Sequence, residues 1–155
     1  MQVEGLRAEH PRARLPGMSY SGSCLCGALS YEFEGEPRIV ANCHCSACRK
    51  ATGASVATWL LVPLDQFRWL SGREQLREFA SSDHARRSFC GNCGATMGNL
   101  TTRRPKLMHL AAGTLDRAPD FQVALHGYVA SKAPWHEITD TLPRYDEEPS
   151  APRSR

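Results

Sequence analysis

The amino-acid sequence predicts a mainly β protein with little helix, organised around bound zinc. Apolar and polar residues alternate over short runs, and no stretch keeps a 3.6-residue apolar period long enough for a major helix. The seven cysteines fall into three tight groups whose spacing is typical of zinc ligands. At 155 residues the chain has the length of one domain.

The first half of the chain is predicted to alternate short strands with cysteine loops. In residues 29–34 apolar side chains take every second position, which indicates a half-buried strand. After a Gly-Glu-Pro turn, residues 38–42 are expected to form a short strand leading into the central cysteines. Residues 46–52 are predicted to form one or two helical turns. Residues 55–62, rich in β-branched and aromatic side chains, indicate a buried strand ended by Pro63.

The second half is predicted to contain two hairpins and a last strand. Residues 66–70 and 75–79 flank a Ser-Gly turn, which favours a hairpin. Residues 95–100 and 107–111 are expected to form another hairpin across a basic, proline-containing loop. Residues 86–89 lead into the last cysteine pair, and the other predicted elements are a turn at 113–119, a strand at 121–129 and a turn at 133–138.

The chain ends differ in composition from its middle. Residues 1–17 hold arginines and prolines but few apolar side chains, so we expect a flexible N-terminal tail. Residues 18–143 are expected to form a single zinc-binding domain. Residues 144–155 are again polar and proline-containing, and we expect a flexible C-terminal tail.

The overall composition excludes several classes of protein. Hydrophobic residues make up 41% and charged residues 23%, which is ordinary for a soluble globular domain. The net charge of +3 gives little attraction for nucleic acid. No apolar run approaches the ~20 residues of a membrane span, and the N-terminus lacks the apolar core of a secretory signal. We therefore expect a cytoplasmic protein without a membrane partner, in which cysteines bind metal rather than form disulfides.

The cysteine spacings divide seven thiols between two zinc ions. The groups are Cys24 and Cys26, then Cys43, Cys45 and Cys48, and finally Cys90 and Cys93. Two pairs make one closed four-thiolate site, so the first and last groups are natural partners that would join distant parts of the chain. The middle group then holds a second zinc with one open position, as in reactive zinc sites. Its three cysteines are the candidate catalytic residues.

An alternative for the middle group remains open. His44 or His84 would supply a fourth ligand and make both sites closed and structural. We interpret His44 instead as a spacer whose ring points away from the metal. Three thiolates leave zinc with a net charge of −1, which disfavours a zinc-hydroxide hydrolase and favours binding of an incoming thiol. Arg49 and Lys50 would offset that charge, or they form an ordinary solvated basic pair.

The three cysteine blocks, residues 22–27, 42–49 and 89–94, resemble those of the glutathione-dependent formaldehyde-activating family, which includes centromere protein V. Residues 113–116 and 131–135 also resemble later blocks of that family, so the resemblance spans roughly residues 20–143. It implies a β-tent fold of several small antiparallel sheets around zinc. It also implies a structural zinc on the first and last cysteine groups and a catalytic zinc on the middle group. The implied activity is carbon–sulfur lyase chemistry on a small thiol and an aldehyde, glutathione and formaldehyde among them.

Two functions from different classes follow. The first is a zinc-dependent enzyme acting on a small thiol–aldehyde adduct. The second is a non-catalytic zinc module that binds protein or nucleic acid, for which the basic residues Arg86, Arg87, Arg103, Arg104 and Lys106 would supply a patch. A pocket open to solvent at the middle cysteines would favour the enzyme.

Overall fold

The computed structural model describes residues 17–117 and 119–149, which form two β-sheets and one short α-helix, α1 (Ser46–Thr52). The strands are β1 (Ser19–Ser23), β2 (Ser30–Glu34), β3 (Ile39–Cys43), β4 (Ala57–Pro63), β5 (Phe67–Ser71), β6 (Leu76–Ser82), β7 (Ala85–Cys90), β8 (Thr96–Thr101), β9 (Leu107–Ala111) and β10 (Leu125–Gly127). The prediction of a mainly β protein with little helix is confirmed. The described part of the chain contains no helix long and apolar enough to cross a membrane.

The small sheet has the strand order β1-β2-β5 and is antiparallel throughout. Its central strand β2 buries Tyr31 and Phe33 completely, while the polar side chains that alternate with them stay partly or fully exposed, as the alternation predicts. Gly22 on β1 leaves room for the Tyr31 ring, because a Cβ at that position would lie 2.2 Å from the Tyr31 hydroxyl. That hydroxyl is hydrogen-bonded to Thr114 Oγ1 at 2.8 Å.

The large sheet has seven strands in the order β10-β3-β4-β9-β8-β7-β6. All neighbouring pairs are antiparallel except β10 and β3, which run parallel. The prediction of several small antiparallel sheets is therefore wrong in detail: there are two sheets of unequal size, and one pair is parallel. The reason is that β10 returns to the sheet after a long connection, and such a crossover can align a strand in either direction.

The predicted hairpin of residues 66–70 and 75–79 is wrong, although both strands exist. β5 pairs with β2 in the small sheet, whereas β6 pairs with β7 in the large sheet. Between them Gly72 adopts a left-handed conformation (φ 72°) and a 3-10 turn follows at Arg73–Gln75. An added Cβ at Gly72 would lie 1.9 Å from the Ala28 carbonyl oxygen, so the chain crosses between the sheets where only glycine fits.

Three other predictions concern the second half of the chain. The hairpin of β8 and β9 is confirmed by the pairing of Gly98 with Leu110. The strand expected at 121–129 is confined to β10, which pairs with β3 over three residues before Tyr128 turns the chain at φ 59°. β1 was not predicted, because its Ser- and Gly-rich sequence carries no strand signal.

The segment 144–149, which the composition assigns to a C-terminal tail, contacts the large sheet. The Tyr145 N–H donates to the His126 carbonyl at 2.9 Å. Glu148 forms ion pairs with Arg103 and Arg104 at 3.1 and 2.8 Å. The remainder of the two predicted tails, residues 1–16 and 150–155, lies outside the described residues.

The large sheet buries a different apolar cluster on each of its faces. On β4, Leu60 and Val62 belong to the cluster that includes the small sheet's aromatic residues. Trp59 and Leu61, which point to the opposite face, belong to the cluster that includes Cys48 of α1. The helix and the middle cysteines therefore lie over the face of the large sheet turned away from the small sheet.

Candidate metal centres and the adjoining pocket

Four cysteines from two distant loops converge on one point, which we call the four-cysteine site. The sulfurs of Cys24, Cys26, Cys90 and Cys93 all lie within 4.8 Å of one another. Cys24 Sγ lies 3.5 Å from Cys26 Sγ, which lies 3.9 Å from Cys90 Sγ. Four sulfurs placed tetrahedrally at about 2.3 Å from a zinc ion would be about 3.8 Å apart. The donor set and its spacing therefore fit a bound zinc ion.

The loops of the four-cysteine site have the backbone that such a site requires. Gly27 and Gly94 follow the two cysteine pairs in left-handed conformations, with φ of 74° and 75°. The Leu29 N–H donates to Cys24 Sγ at 3.3 Å, and the Asn92 side-chain amide donates to Cys26 Sγ at 3.2 Å. Burial raises the pKa of Cys24, but the Leu29 N–H and neighbouring thiols outweigh it and hold that pKa below its ordinary value. The first loop thus favours the thiolate form of Cys24 and Cys26, the form that binds metal, whereas burial raises the pKa of Cys90 to about 11.

The four-cysteine site lies where the two sheets meet. Cys24 and Cys26 occupy the loop between β1 and β2 of the small sheet. Cys90 ends β7 of the large sheet, and Cys93 follows in the next loop. Cys24 and Cys90 are buried, so an ion held here would link the sheets from within the fold.

The three remaining cysteines form a second cluster, which we call the three-cysteine site. Cys43 ends β3, and Cys45 and Cys48 lie at the start of α1; their sulfurs lie within 4.8 Å of one another. Cys45 is the N-cap of α1, and its sulfur accepts the Cys48 N–H at 3.3 Å. Hydrogen bonding to the Cys43 and Cys48 thiols, with the Cys48 N–H and the Arg87 charge, lowers the pKa of Cys45 to about 2. The donor set thus fits a metal ion that prefers thiolates.

The two histidines considered as a fourth ligand differ in position. His44 Nε2 is hydrogen-bonded to His126 Nδ1 at 2.8 Å, and His126 Nε2 lies 3.0 Å from Asp140 Oδ2. His44 is fully buried; burial, then the nearby His126 and His136, lowers its pKa to about 4. His84 lies along the same pocket as the cysteines. Within the described residues, the cluster of ligand atoms contains the three sulfurs and no histidine nitrogen.

The three-cysteine site opens on a cavity of about 400 Å³ on the outer face of the large sheet. Strand register places Leu61 beside His109, His109 beside Asn99 and Asn99 beside Arg87, and this row lines the cavity. None of the four-cysteine ligands is among the residues described as lining it. The two cysteine clusters therefore differ in one feature: the three-cysteine site has an open pocket beside it, and the four-cysteine site contributes no residue to that pocket.

The three arginines of the pocket contact two different partners, the Glu148 carboxylate and the Cys48 sulfur. Arg103 and Arg104 both pair with the Glu148 carboxylate. Arg87 Nη2 lies 3.7 Å from Cys48 Sγ, where its charge offsets that of the thiolates. His109 is buried on β9, and burial, then the nearby Arg104 and Arg87 charges, lowers its pKa to about 4, so it is neutral at pH 7.

Sequence reasoning did not assign these pocket residues individually to the site. The sequence indicates Arg87 only as part of a basic patch, and it carries no signal that points to Trp59 or His109. Alternation along β7 places Arg86 and Arg87 on opposite faces, but the sequence gives no sign of which face is turned toward the cysteines.

Comparison with known proteins agrees with this geometry. A family model described as glutathione-dependent formaldehyde-activating enzyme matches residues 19–131. A protein of Schizosaccharomyces pombe, named uncharacterized lyase C29B12.13, is 34% identical over 83 residues, which cover 50% of this chain and 55% of that protein. The chain thus spans about half the length of that relative. A crystal structure of a Rhodobacter sphaeroides protein matches with a TM-score of 0.55 at 25% identity, covering 64% of this chain and 91% of that one. Because the family model matches most of the length of this chain, the chain belongs to the glutathione-dependent formaldehyde-activating enzyme family.

Proposed function

We propose that the protein is a zinc-dependent enzyme of the carbon–sulfur lyase type that makes or breaks the adduct of a small thiol and an aldehyde. The observation that carries the proposal is the pocket of about 400 Å³ beside Cys43, Cys45 and Cys48. A purely structural site gains nothing from such a cavity, whereas a substrate needs one. The lyase name of the fission-yeast relative and the family description point the same way.

The three thiolates would hold the ion and leave it one ligand short of the four that zinc usually takes. Zinc bound there supplies a Lewis acid that favours deprotonation of an incoming thiol. Cys45 is the N-cap of α1, Cys48 lies in its first turn and Cys43 ends β3, so regular backbone structure positions all three donors. Arg87 offsets the negative charge of the thiolates through its contact with Cys48. The four-cysteine site would hold a second, structural zinc of the implied β-tent.

The reaction is an addition and its reverse. The thiol sulfur forms a bond to the aldehyde carbon, the S–H bond breaks, and that proton ends on the former aldehyde oxygen. No redox partner is required. The pocket's apolar side chains, which include Ile39, Leu61 and Leu125, limit water around the reacting groups.

The distribution of basic residues favours this enzyme over the alternative of a zinc module that binds protein or nucleic acid. Arg103 and Arg104 share the Glu148 carboxylate. Arg86 lies near Glu78 at 3.9 Å, on the opposite face of β7 from Arg87. Arg87, Arg103 and Arg104 line one pocket, but two of them are paired with Glu148 and Arg86 lies on the other face, so the four do not form the continuous basic surface that phosphate binding would need.

The experiment mixes zinc-loaded protein with isotopically labelled formaldehyde and a panel of small thiols that includes glutathione, and follows exchange between free aldehyde and adduct by NMR. We expect exchange faster than in buffer with at least one thiol. Cys45→Ser should abolish the acceleration, and Ser46→Ala, an exposed neighbour with no ligand role, should retain it. Exchange no faster than in buffer across the whole panel would contradict the proposal.

A further inference from the structure

Three buried nitrogen atoms around the pocket have no hydrogen-bond partner among the described residues. They are Trp59 Nε1, Arg87 Nη1 and His109 Nε2, and all three residues line the cavity. Leaving a buried donor unpaired costs about 1–3 kcal/mol, and more when it is charged. Such groups are therefore rare in folded proteins, and three around one cavity indicate a ligand that pairs with them.

The sheet register places the three residues on one surface. His109 and Arg87 are separated along their row only by Asn99, which pairs with each of them. Trp59 precedes Leu61 by two residues on β4, so its side chain points to the same face, and Leu61 pairs with His109. Trp59 and His109 are both less than a tenth exposed. Together they form a donor-rich floor beneath the cavity.

The charge of this floor favours an anion. Arg103 and Arg104 already share the Glu148 carboxylate, whereas the contact described for Arg87 is with the Cys48 sulfur, through Nη2. A guanidinium presents several donors in a rigid fork and can bind two groups at once, so Nη1 remains for a second anion. The indole N–H can only donate, which excludes a cationic ligand group at that point. His109 can add a third donor in the tautomer that carries its proton on Nε2.

We propose that Arg87 and Trp59 form a carboxylate subsite in the pocket and that the substrate is a compact thiol acid. The identity of the thiol rests on the function proposed above, whereas the subsite does not. The Arg87 guanidinium would contact both the Cys48 sulfur and the carboxylate of the substrate. A substrate thiol that binds at the three-cysteine site would therefore lie close to this carboxylate, so the two groups are a few bonds apart on one small molecule. A carboxylate suits two separate donors because it offers two acceptor oxygens.

Calorimetric titration of the zinc-loaded protein with 3-mercaptopropionate and with 3-mercaptopropanol, an uncharged analogue of equal length, tests the subsite. The wild-type protein should bind the acid roughly 10–100-fold more tightly, the range expected for hydrogen bonds to a charged group. Arg87→Met should remove this preference, and Trp59→Phe should reduce it several-fold. Arg86→Met, which deletes the same charge from the opposite face of the same strand, should leave it unchanged.

Titration with propionate, which has no thiol, separates the subsite from the proposed function. Propionate that binds as tightly as 3-mercaptopropionate, and that no longer binds in Arg87→Met, would support the subsite and contradict the thiol chemistry, because the thiol would then add no affinity. Equal affinity for the acid and the alcohol in the wild-type protein would overturn the subsite and leave the thiol chemistry intact. If Arg87→Met loses zinc or fails to fold, Trp59→Phe decides, because it deletes one donor and keeps the aromatic ring. An acid preference unchanged in Trp59→Phe would then count against the proposal.

Discussion

Replacing Cys90 by serine is expected to unfold the protein. Cys90 is fully buried, and its sulfur lies 3.9 Å from that of Cys26, 64 residues earlier in the chain. A zinc ion held there would join the loops of two different sheets. A structural zinc supplies on the order of 10–16 kcal/mol of apparent binding energy, which equals or exceeds the roughly 5–15 kcal/mol by which a domain is stable. Weakening this link therefore removes most of the stability of the fold.

The same substitution at Cys45 should be mild. Its partners Cys43 and Cys48 lie within the same six-residue segment, so the three-cysteine site joins no distant parts of the chain. Cys45 is also the N-cap of α1, and serine is itself a favoured N-cap residue. We expect a loss of at most about 1 kcal/mol, which corresponds to roughly 2–4 °C in a domain of this size.

The two variants are compared by thermal unfolding followed by circular dichroism, together with zinc content per chain. Cys45→Ser should melt cooperatively near the wild-type temperature with one zinc fewer. Cys90→Ser should be insoluble or show no cooperative transition. If Cys45→Ser unfolds as readily as Cys90→Ser, the three-cysteine site is structural, and the non-catalytic zinc module becomes the better account.

Three further predictions follow from the structure. Wild-type protein should contain two zinc ions per chain by elemental analysis, and one ion with three free thiols would contradict the two-site account. Removing residues 1–17 and everything after Pro149 should leave the melting temperature nearly unchanged. Ending the chain at Pro143 should instead lower the melting temperature by roughly 4–8 °C, for a loss of about 2 kcal/mol, because the contacts of Glu148 and its neighbours with the large sheet are then lost. Lowering the pH from 7 to 5.5 should reduce the free energy of unfolding by about 1 kcal/mol through His109, because its pKa is about 4 in the folded state and near 6.5 in the unfolded state, which therefore binds more protons. The free energy of unfolding of His109→Gln, measured with denaturant, should lack this part of the pH dependence. A variant whose free energy of unfolding falls with pH in parallel with that of the wild type would refute the assignment.

The cysteine clusters could be predicted from sequence because their geometry is local. A C-x-C or C-x-x-C segment brings its own sulfurs together whatever the rest of the fold does, so only the partnership of two segments remained to be inferred. The bounds predicted for α1 agree with the structure for a related reason, since Gly53 (φ 68°) ends the helix within its own segment.

Strand partners and the pocket could not be predicted because they are non-local. β5 and β6 are neighbours in sequence but join different sheets, and the left-handed Gly72 between them is compatible with a hairpin as well as with a crossover. Trp59, Arg87 and His109 come from three strands whose order in the sheet differs from their order in the chain. Their convergence depends on that order, which alternation along a single strand does not contain.

The most direct test of the proposed function asks whether a small thiol joins the metal held by Cys43, Cys45 and Cys48. Zinc is replaced by Co²⁺, whose visible absorption reports its ligands, and the protein is titrated with 3-mercaptopropionate. We predict a spectral change that saturates at one thiol per chain in the wild-type protein and in Ser46→Ala, and that is absent in Cys45→Ser. A wild-type spectrum that stays constant throughout the titration would contradict the proposed function.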